Sequence, residues 1–277
     1  MLRVLVYNLQ WAGDSDYTAL AQELRTRAAT GQQPDLALLQ ECFLNEGTEA
    51  DPYPTFRTEL ADLYPYQWHG PLAGTRQLGS GLVILSQRPF VDEQFYIYST
   101  GLPPDSLASK GLAWVELDVS PGCQHLGVLD THLQAGKLSD FGGVVDPAQT
   151  RLEQTNELIA QLDQFQRGNG LALILGGDFN YFPVEGEATG FNGYRMLTQA
   201  WNGWLTDVEN WCAVQPTRCA ASGEPLVTDR SGMLKLFVGS TALVDVTPTA
   251  LHKHPATEYG GLGDHASFEV DYRVTCR

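Results

Sequence analysis

Apolar residues occur in short blocks, and several blocks stop at one or two polar side chains. LRVLVYNLQ runs into Asn8, DLALLQE into Glu41, LGVLDTHLQ into His132, and LALILGGDFN into Asp178 and Asn180, while Asp264 and His265 stand just ahead of ASFEV. Apolar runs of roughly four to eight residues bounded by glycine and polar residues predict buried strands. LVILS, GLAWVELDV, LKLFVG and ASFEVDYRV read the same way. GLAWVELDV and LGVLDTHL, separated by Pro121 and Gly122, predict an antiparallel pair. The Tyr-rich stretch after LVILS reads as a connection.

Helical spacing appears between these blocks. Tyr17, Leu20, Leu24 and Ala28 share one face behind the candidate caps Asp14 and Ser15, and Gly31 stops the run. Asp146 and Pro147 start a second helix with a stripe of Leu152, Leu158, Ile159, Leu162 and Phe165, ended by Gly168 and Gly170. Tyr194 to Trp204 reads as a third. The sum is two β-sheets packed face to face with helices outside, a layered α/β sandwich.

The chain has 277 residues, 43% of them hydrophobic, and no linker-like tract divides it, so it reads as a single domain over 1–277. A formal charge of −16 opposes nonspecific attraction to nucleic acid. No run approaches the ~18 apolar residues of a membrane span. The N-terminus opens directly in a strand, so the expectation is a soluble protein, cytoplasmic or secreted with its leader already removed, the compartment staying open. Five cysteines have no metal-ligand spacing; Cys212 and Cys219 are close enough in sequence to close a small loop, and an odd count leaves at least one thiol free.

The polar block ends carry the chemistry. One strand ending in Asp-x-Asn is an ordinary Asx-type turn, here after a tight Gly176-Gly177 turn. Five strand ends supplying Asn, Glu, His, Asp-x-Asn and Asp-His predict one site at an end of the sandwich.

In that order, Asn8, the LQE of Glu41, the HL of His132, the GDFN of Asp178 and Asn180, and the terminal Asp264-His265 resemble the endonuclease/exonuclease/phosphatase superfamily of metal-dependent phosphoesterases. The resemblance implies an α/β fold, a four-layer α/β/β/α sandwich of two mostly antiparallel sheets flanked by helices. THLQA at 131–135 and ASKG at 108–111 look most like the sphingomyelinase-type branch. The roles implied are as follows. Glu41 ligates Mg²⁺, or Mn²⁺ or another divalent cation, with Asn8 beside it as ligand or orienting amide. Asp178 and His265 activate water, Asn180 holds the nucleophile or a phosphate oxygen, and His132 stabilises the transition state or assists the leaving group. Asp264 ligates metal or orients His265, and Lys110 pairs with a phosphate oxygen.

The expected substrate is a phosphodiester, a phospholipid headgroup such as that of sphingomyelin or a small molecule, with peripheral membrane contact. Nucleic acid is the lesser alternative. Aromatics after GDFN (Phe179, Tyr181, Phe182, Phe191, Tyr194, Trp201, Trp204, Trp211), with Tyr96 and Tyr98, offer a rim for a choline group, though more than half read as core. His252 and His254 in LHKHP read as a solvated loop. One departure stands out. Relatives carry a histidine-orienting Asp on a late strand like I-D-Y-I-F-V, and MLKLFVG has Leu234 or Lys235 there, with Asp207, Asp229 and Asp245 as substitutes in space. That departure keeps a third expectation in play, a catalytically weakened binding module.

Overall fold

The computed structural model describes residues 1–10, 14–43, 53–72, 76–119, 122–136, 138–142, 145–181, 186–223, 232–255 and 266–277. In chain order the elements are β1 (Leu2–Asn8), α1 (Asp14–Ala29), β2 (Leu36–Gln40), α2 (Tyr53–Glu59), β3 (Tyr66–His69), β4 (Val83–Ser86), β5 (Phe90–Ile97), β6 (Gly111–Leu117) and β7 (Leu126–His132). They continue with α3 (Pro147–Asn169), β8 (Ala172–Tyr181), α4 (Gly186–Ala200), β9 (Leu205–Asp207), α5 (Val208–Val214), β10 (Ala220–Gly223), β11 (Gly232–Gly239), β12 (Val244–His254) and β13 (Ser267–Cys276).

The strands form two sheets, ordered β10-β12-β13-β1-β2-β4-β3 and β5-β6-β7-β8-β11-β9. Both are mostly antiparallel; the parallel pairings are β1 with β2, β10 with β12 and β7 with β8. Alternation of side chains sorts the apolar residues into three clusters. Val4, Val6, Leu36 and Leu38 of one sheet meet Leu126, Val128, Ala172, Ile174 and Leu236 of the other in the central layer. Leu5, Tyr7, Ala37 and Leu39 face outward onto Leu20 and Leu24 of α1 and Phe56 of α2. Leu129, Leu173 and Leu175 face outward onto Leu158 and Leu162 of α3 and Leu197 of α4. Strands buried on both faces read as continuous apolar runs, which is why these were visible in the sequence. The layering is the expected α/β/β/α sandwich.

The second helix begins as expected: Asp146 Oδ1 accepts from the Ala148 amide at 2.9 Å, and Gly170 ends it with φ 59°. Other expectations need correction. The Tyr-rich connection is strand β5, an edge strand exposed over residues 91–94, Asp92 and Glu93 among them. LHKHP is the end of β12, not a loop, and His252 and His254 stack on one face of it. The third helix starts earlier and ends at Ala200. Gly176 and Gly177 are not a turn either, because β8 runs straight through them. A Cβ at Gly176 would collide with Leu38 across the central layer, and one at Gly177 (φ 139°) with the Thr131 carbonyl of β7.

Disulfides join Cys212 to Cys219, as the spacing allowed, and Cys123 to Cys276. Cys42 is the free thiol among the five; it is buried, and burial pushes its pKa up. Among the described residues no helix is long and apolar enough to cross a membrane.

Candidate active site

The site is the last rung of the central layer. On β1 the inward row is Val4, Val6, Asn8; on β2 it is Leu36, Leu38, Gln40; on β7 it is Leu126, Val128, Asp130, His132. On β8 the row is Ala172, Ile174, Gly176, Asp178. A strict period of two therefore carries four strands from aliphatic packing to polar chemistry at the same level of the sandwich. Because β1 and β2 are parallel, as are β7 and β8, their register sets Asn8 beside Gln40 and His132 beside Asp178.

Asn8 joins the two sheets at this level. Its Nδ2 donates to Glu41 Oε1 at 3.0 Å and to Asp178 Oδ2 at 2.7 Å, while its Oδ1 accepts from the Gln10 amide at 2.9 Å. Asp178 Oδ1 accepts from the Asn180 amide at 2.9 Å, so the Asx turn read in the sequence is present and orients the carboxylate. Asn180 Nδ2 donates to the Leu133 carbonyl at 3.2 Å. Glu41, directly after β2, and Asn180, within β8, both hold left-handed backbone, φ 61° and 50°. Asn8, Asp178 and Asn180 are buried, whereas 21% of the Glu41 side chain is exposed, so Glu41 marks the open side.

His132 is buried beneath Glu41, its Nε2 3.9 Å from Glu41 Oε1. Lys110 Nζ lies 3.1 Å from the same nitrogen and donates also to Asp105 Oδ2 at 2.7 Å and to the Leu133 carbonyl at 3.2 Å. An ammonium has only donors, so His132 Nε2 accepts and the ring proton sits on Nδ1. The sequence reading offered Lys110 to a phosphate oxygen; in this arrangement its three bonds go to protein atoms. The loop after His132 is held from behind. Gln154 Oε1 accepts from the Gln134 amide at 2.7 Å, and buried Arg151 donates to the carbonyls of Gln134 and Gly136 at 3.0 and 2.9 Å.

Asn8, Glu41, His132, Asp178, Asn180 and Lys110 thus come together. Asp264 and His265 lie outside the described residues, as does Asp229. Leu234 pairs opposite Asp178 and packs in the central core, so no carboxylate enters from that position. Lys235 faces the other way, 3.4 Å from Glu209 Oε2. Asp207 accepts from the Tyr194 hydroxyl at 2.9 Å and from the Asn210 amide at 3.1 Å, capping α5. Asp245 accepts from the Thr247 hydroxyl. Of the aromatics, Phe179, Tyr181, Tyr194 and Tyr98 are core, and Tyr96, Trp201, Trp204 and Trp211 pack against it. Phe182 and the Phe191 side chain lie outside the described residues.

Sequence reading overlooked Gln40, Asp130 and Asp105. A signal existed for Asp130: an acid two residues before His132 in an apolar strand must share its face.

The oxygens of Glu41 and Asn8, with Asp178 alongside, are hard donors suited to a divalent cation that keeps several waters. Among the described residues no group of three His, Cys, Asp or Glu is placed to hold a metal ion, so the carboxylates and the amide would act together with solvent or substrate oxygens.

The sequence matches the endonuclease/exonuclease/phosphatase family over residues 5–228, a span that includes Asn8, Glu41, Lys110, His132, Asp178 and Asn180 and stops before β11, Asp264 and His265. It is 24% identical over 209 residues to sphingomyelinase C of Bacillus cereus, covering 71% of this chain and 62% of that one. The chain thus spans about three-fifths of the length of that curated relative. The solved sphingomyelinase C of Streptomyces griseocarneus superposes with a TM-score of 0.64 at 20% identity, over 97% of this chain and 98% of that one. TDP2 of D. rerio, solved with a single-strand DNA product, gives 0.66 at 16% identity over 98% of each. Both likenesses are of fold. A match over most of the chain, with the strand-end residues in order and in contact, places this protein in the endonuclease/exonuclease/phosphatase family of phosphoester hydrolases.

Proposed function

We propose that the chain is a Mg²⁺-dependent phosphodiesterase that hydrolyses a phospholipid headgroup of the sphingomyelin type. The observation that carries this reading is the three-way contact of Glu41, Asn8 and Asp178 at the rim of the central layer. The sequence likeness to sphingomyelinase C supports the substrate class, and the charge of −16 weighs against a polyanion such as DNA.

Glu41 and Asn8 would hold the cation, which supplies charge neutralisation at a phosphoryl oxygen. Asp178, oriented by Asn8 and the Asn180 amide, takes a proton from the attacking water, with His265 as its partner. Asn180 positions that water or a phosphate oxygen through its amide. Lys110 sets positive charge behind His132, which stabilises the transition state or assists the leaving group, and Asp264 assists His265. The two disulfides suit an oxidising compartment, where a lipid surface outside the cytosol would be met.

Release of phosphocholine from sphingomyelin vesicles in Mg²⁺, lost in Glu41→Ala and His265→Ala, is the expected result. Hydrolysis of plasmid or abasic duplex DNA but not of sphingomyelin would move the assignment to a nuclease. No turnover of either, or of a bis-aryl phosphodiester, under any divalent cation would leave a binding module.

A further inference from the structure

Directly beneath Glu41 and His132, two buried side chains meet across the sheets. Gln40 and Asp130 are both fully buried, and Gln40 Nε2 donates to Asp130 Oδ1 at 2.7 Å and to the Leu38 carbonyl at 3.1 Å. The remaining atoms of the pair, Asp130 Oδ2 and Gln40 Oε1, are buried without a hydrogen-bond partner among the described residues. No cation stands in ion-pair range of Asp130 in that same set. An ionised carboxylate so placed is strongly disfavoured, and two buried acceptors without donors are costly. One proton removes both problems.

We infer that Asp130 is a neutral carboxylic acid whose Oδ2–H donates to Gln40 Oε1, closing a two-bond acid–amide ring that sets the spacing of Glu41 and His132. Gln40 directly precedes Glu41, and Asp130 precedes His132 by one turn of the pleat, so the ring fixes the two strands where the site begins. Asp130 and Gln40 are positioning residues; neither reaches the substrate. The electrostatics agree: burial drives the Asp130 carboxyl well above the usual carboxylate range, opposed by the Gln40 and Thr131 hydrogen bonds and reinforced by Asp178. The titratable groups that interact with it are Asp178 on β8, which raises its pKa, and the buried Cys42 thiol beyond β2, whose pKa it raises in turn. Keeping Asp130 neutral also spares Glu41 and Asp178 a third negative charge.

The positioning role rests on the phosphodiesterase reading, but the protonation state does not. An infrared difference spectrum of the chain alone against Asp130→Asn, at pH 7 in the absence of metal, should show a protonated carboxyl C=O band lost in the variant. Absence of that band overturns the inference whatever the enzyme assays show. Since the folded state retains this proton above the unfolded value, the native chain loses stability as pH rises beyond about 4. Asp130→Asn, an isostere of the neutral acid, should melt above the native chain at pH 8, with the gap closing toward pH 4; an equal or lower melting temperature at pH 8 counts against it. In Mg²⁺ with a bis-aryl phosphodiester, Asp130→Leu should lose roughly a hundredfold in kcat at similar KM, and Asp130→Asn should restore most of it. An unchanged kcat in Asp130→Leu removes the positioning role.

Discussion

Two buried polar clusters sit on opposite sides of β11, and they are built on different principles. In the corner formed by β9, α5, β11 and β12, Glu209 lies 3.4 Å from Lys235 Nζ and 3.1 Å from Lys253 Nζ, and Asp207 is 3.8 Å from Lys235 Nζ. Two ammonium groups face two carboxylates. At the rim, Glu41 and Asp178 instead converge on one neutral amide, with Lys110 set back against Asp105 and His132. In the corner charge is compensated side chain by side chain; at the rim two carboxylates share one neutral amide. Lys235 belongs to the balanced corner, while its neighbour Leu234 lies opposite Asp178 and brings no charge to the rim.

The contrast can be broken most severely at Asp178. Asp178→Asn preserves the shape but can accept only one of the two N–H groups, from Asn8 and from the Asn180 amide, that the carboxylate accepts, so metal-dependent hydrolysis should fall by roughly 10²–10⁴-fold with only a modest drop in melting temperature. A variant that retains turnover would separate Asp178 from the chemistry. In the corner the outcome should invert. Glu209→Ala removes the carboxylate that Lys235 and Lys253 share, leaving Asp207 at 3.8 Å from Lys235, and should cost about 3–5 kcal/mol in denaturant unfolding, with kcat per folded molecule unchanged. If activity falls and stability does not, the corner belongs to the site.

A smaller effect is expected between these extremes. Lys110→Ala removes the donor to His132 Nε2 and should lower kcat by roughly 10- to 100-fold, steady-state kinetics showing little change in KM. The smallest belongs to the surface. Arg25 and Asp62 form an exposed pair, and Asp62→Asn should leave both the melting temperature and turnover unaltered, a baseline for the other variants.

The legible parts of the chain share one physical property. β1, β2, β7 and β8 are buried on both faces, so their apolar runs are unbroken, and the polar residues that end them are conspicuous. β5 escaped notice because an edge strand needs no apolar alternation, and β12 because Pro248 interrupts its pattern beside a register shift. In the site, Asn8, Glu41, His132, Asp178 and Asn180 were readable as strand ends. The face of Asp130 was readable from its spacing to His132, but its pairing with Gln40 was not, since that contact joins residues 90 positions apart. Asp105 pairs with Lys110 only because a short 3₁₀ turn at Asp105–Leu107 brings it back.

Glu41 and Asn180 have left-handed backbone, a conformation that asparagine tolerates and glutamate resists. The two positions therefore stand under unequal evolutionary pressure. Were the activity dispensable, drift would carry position 41 toward glycine, which relieves the backbone and sacrifices only the carboxylate. Glu41→Gly should accordingly be the more stable of the inactive variants, above Glu41→Ala in melting temperature. A lineage that keeps glutamate there keeps it against its own folding preference.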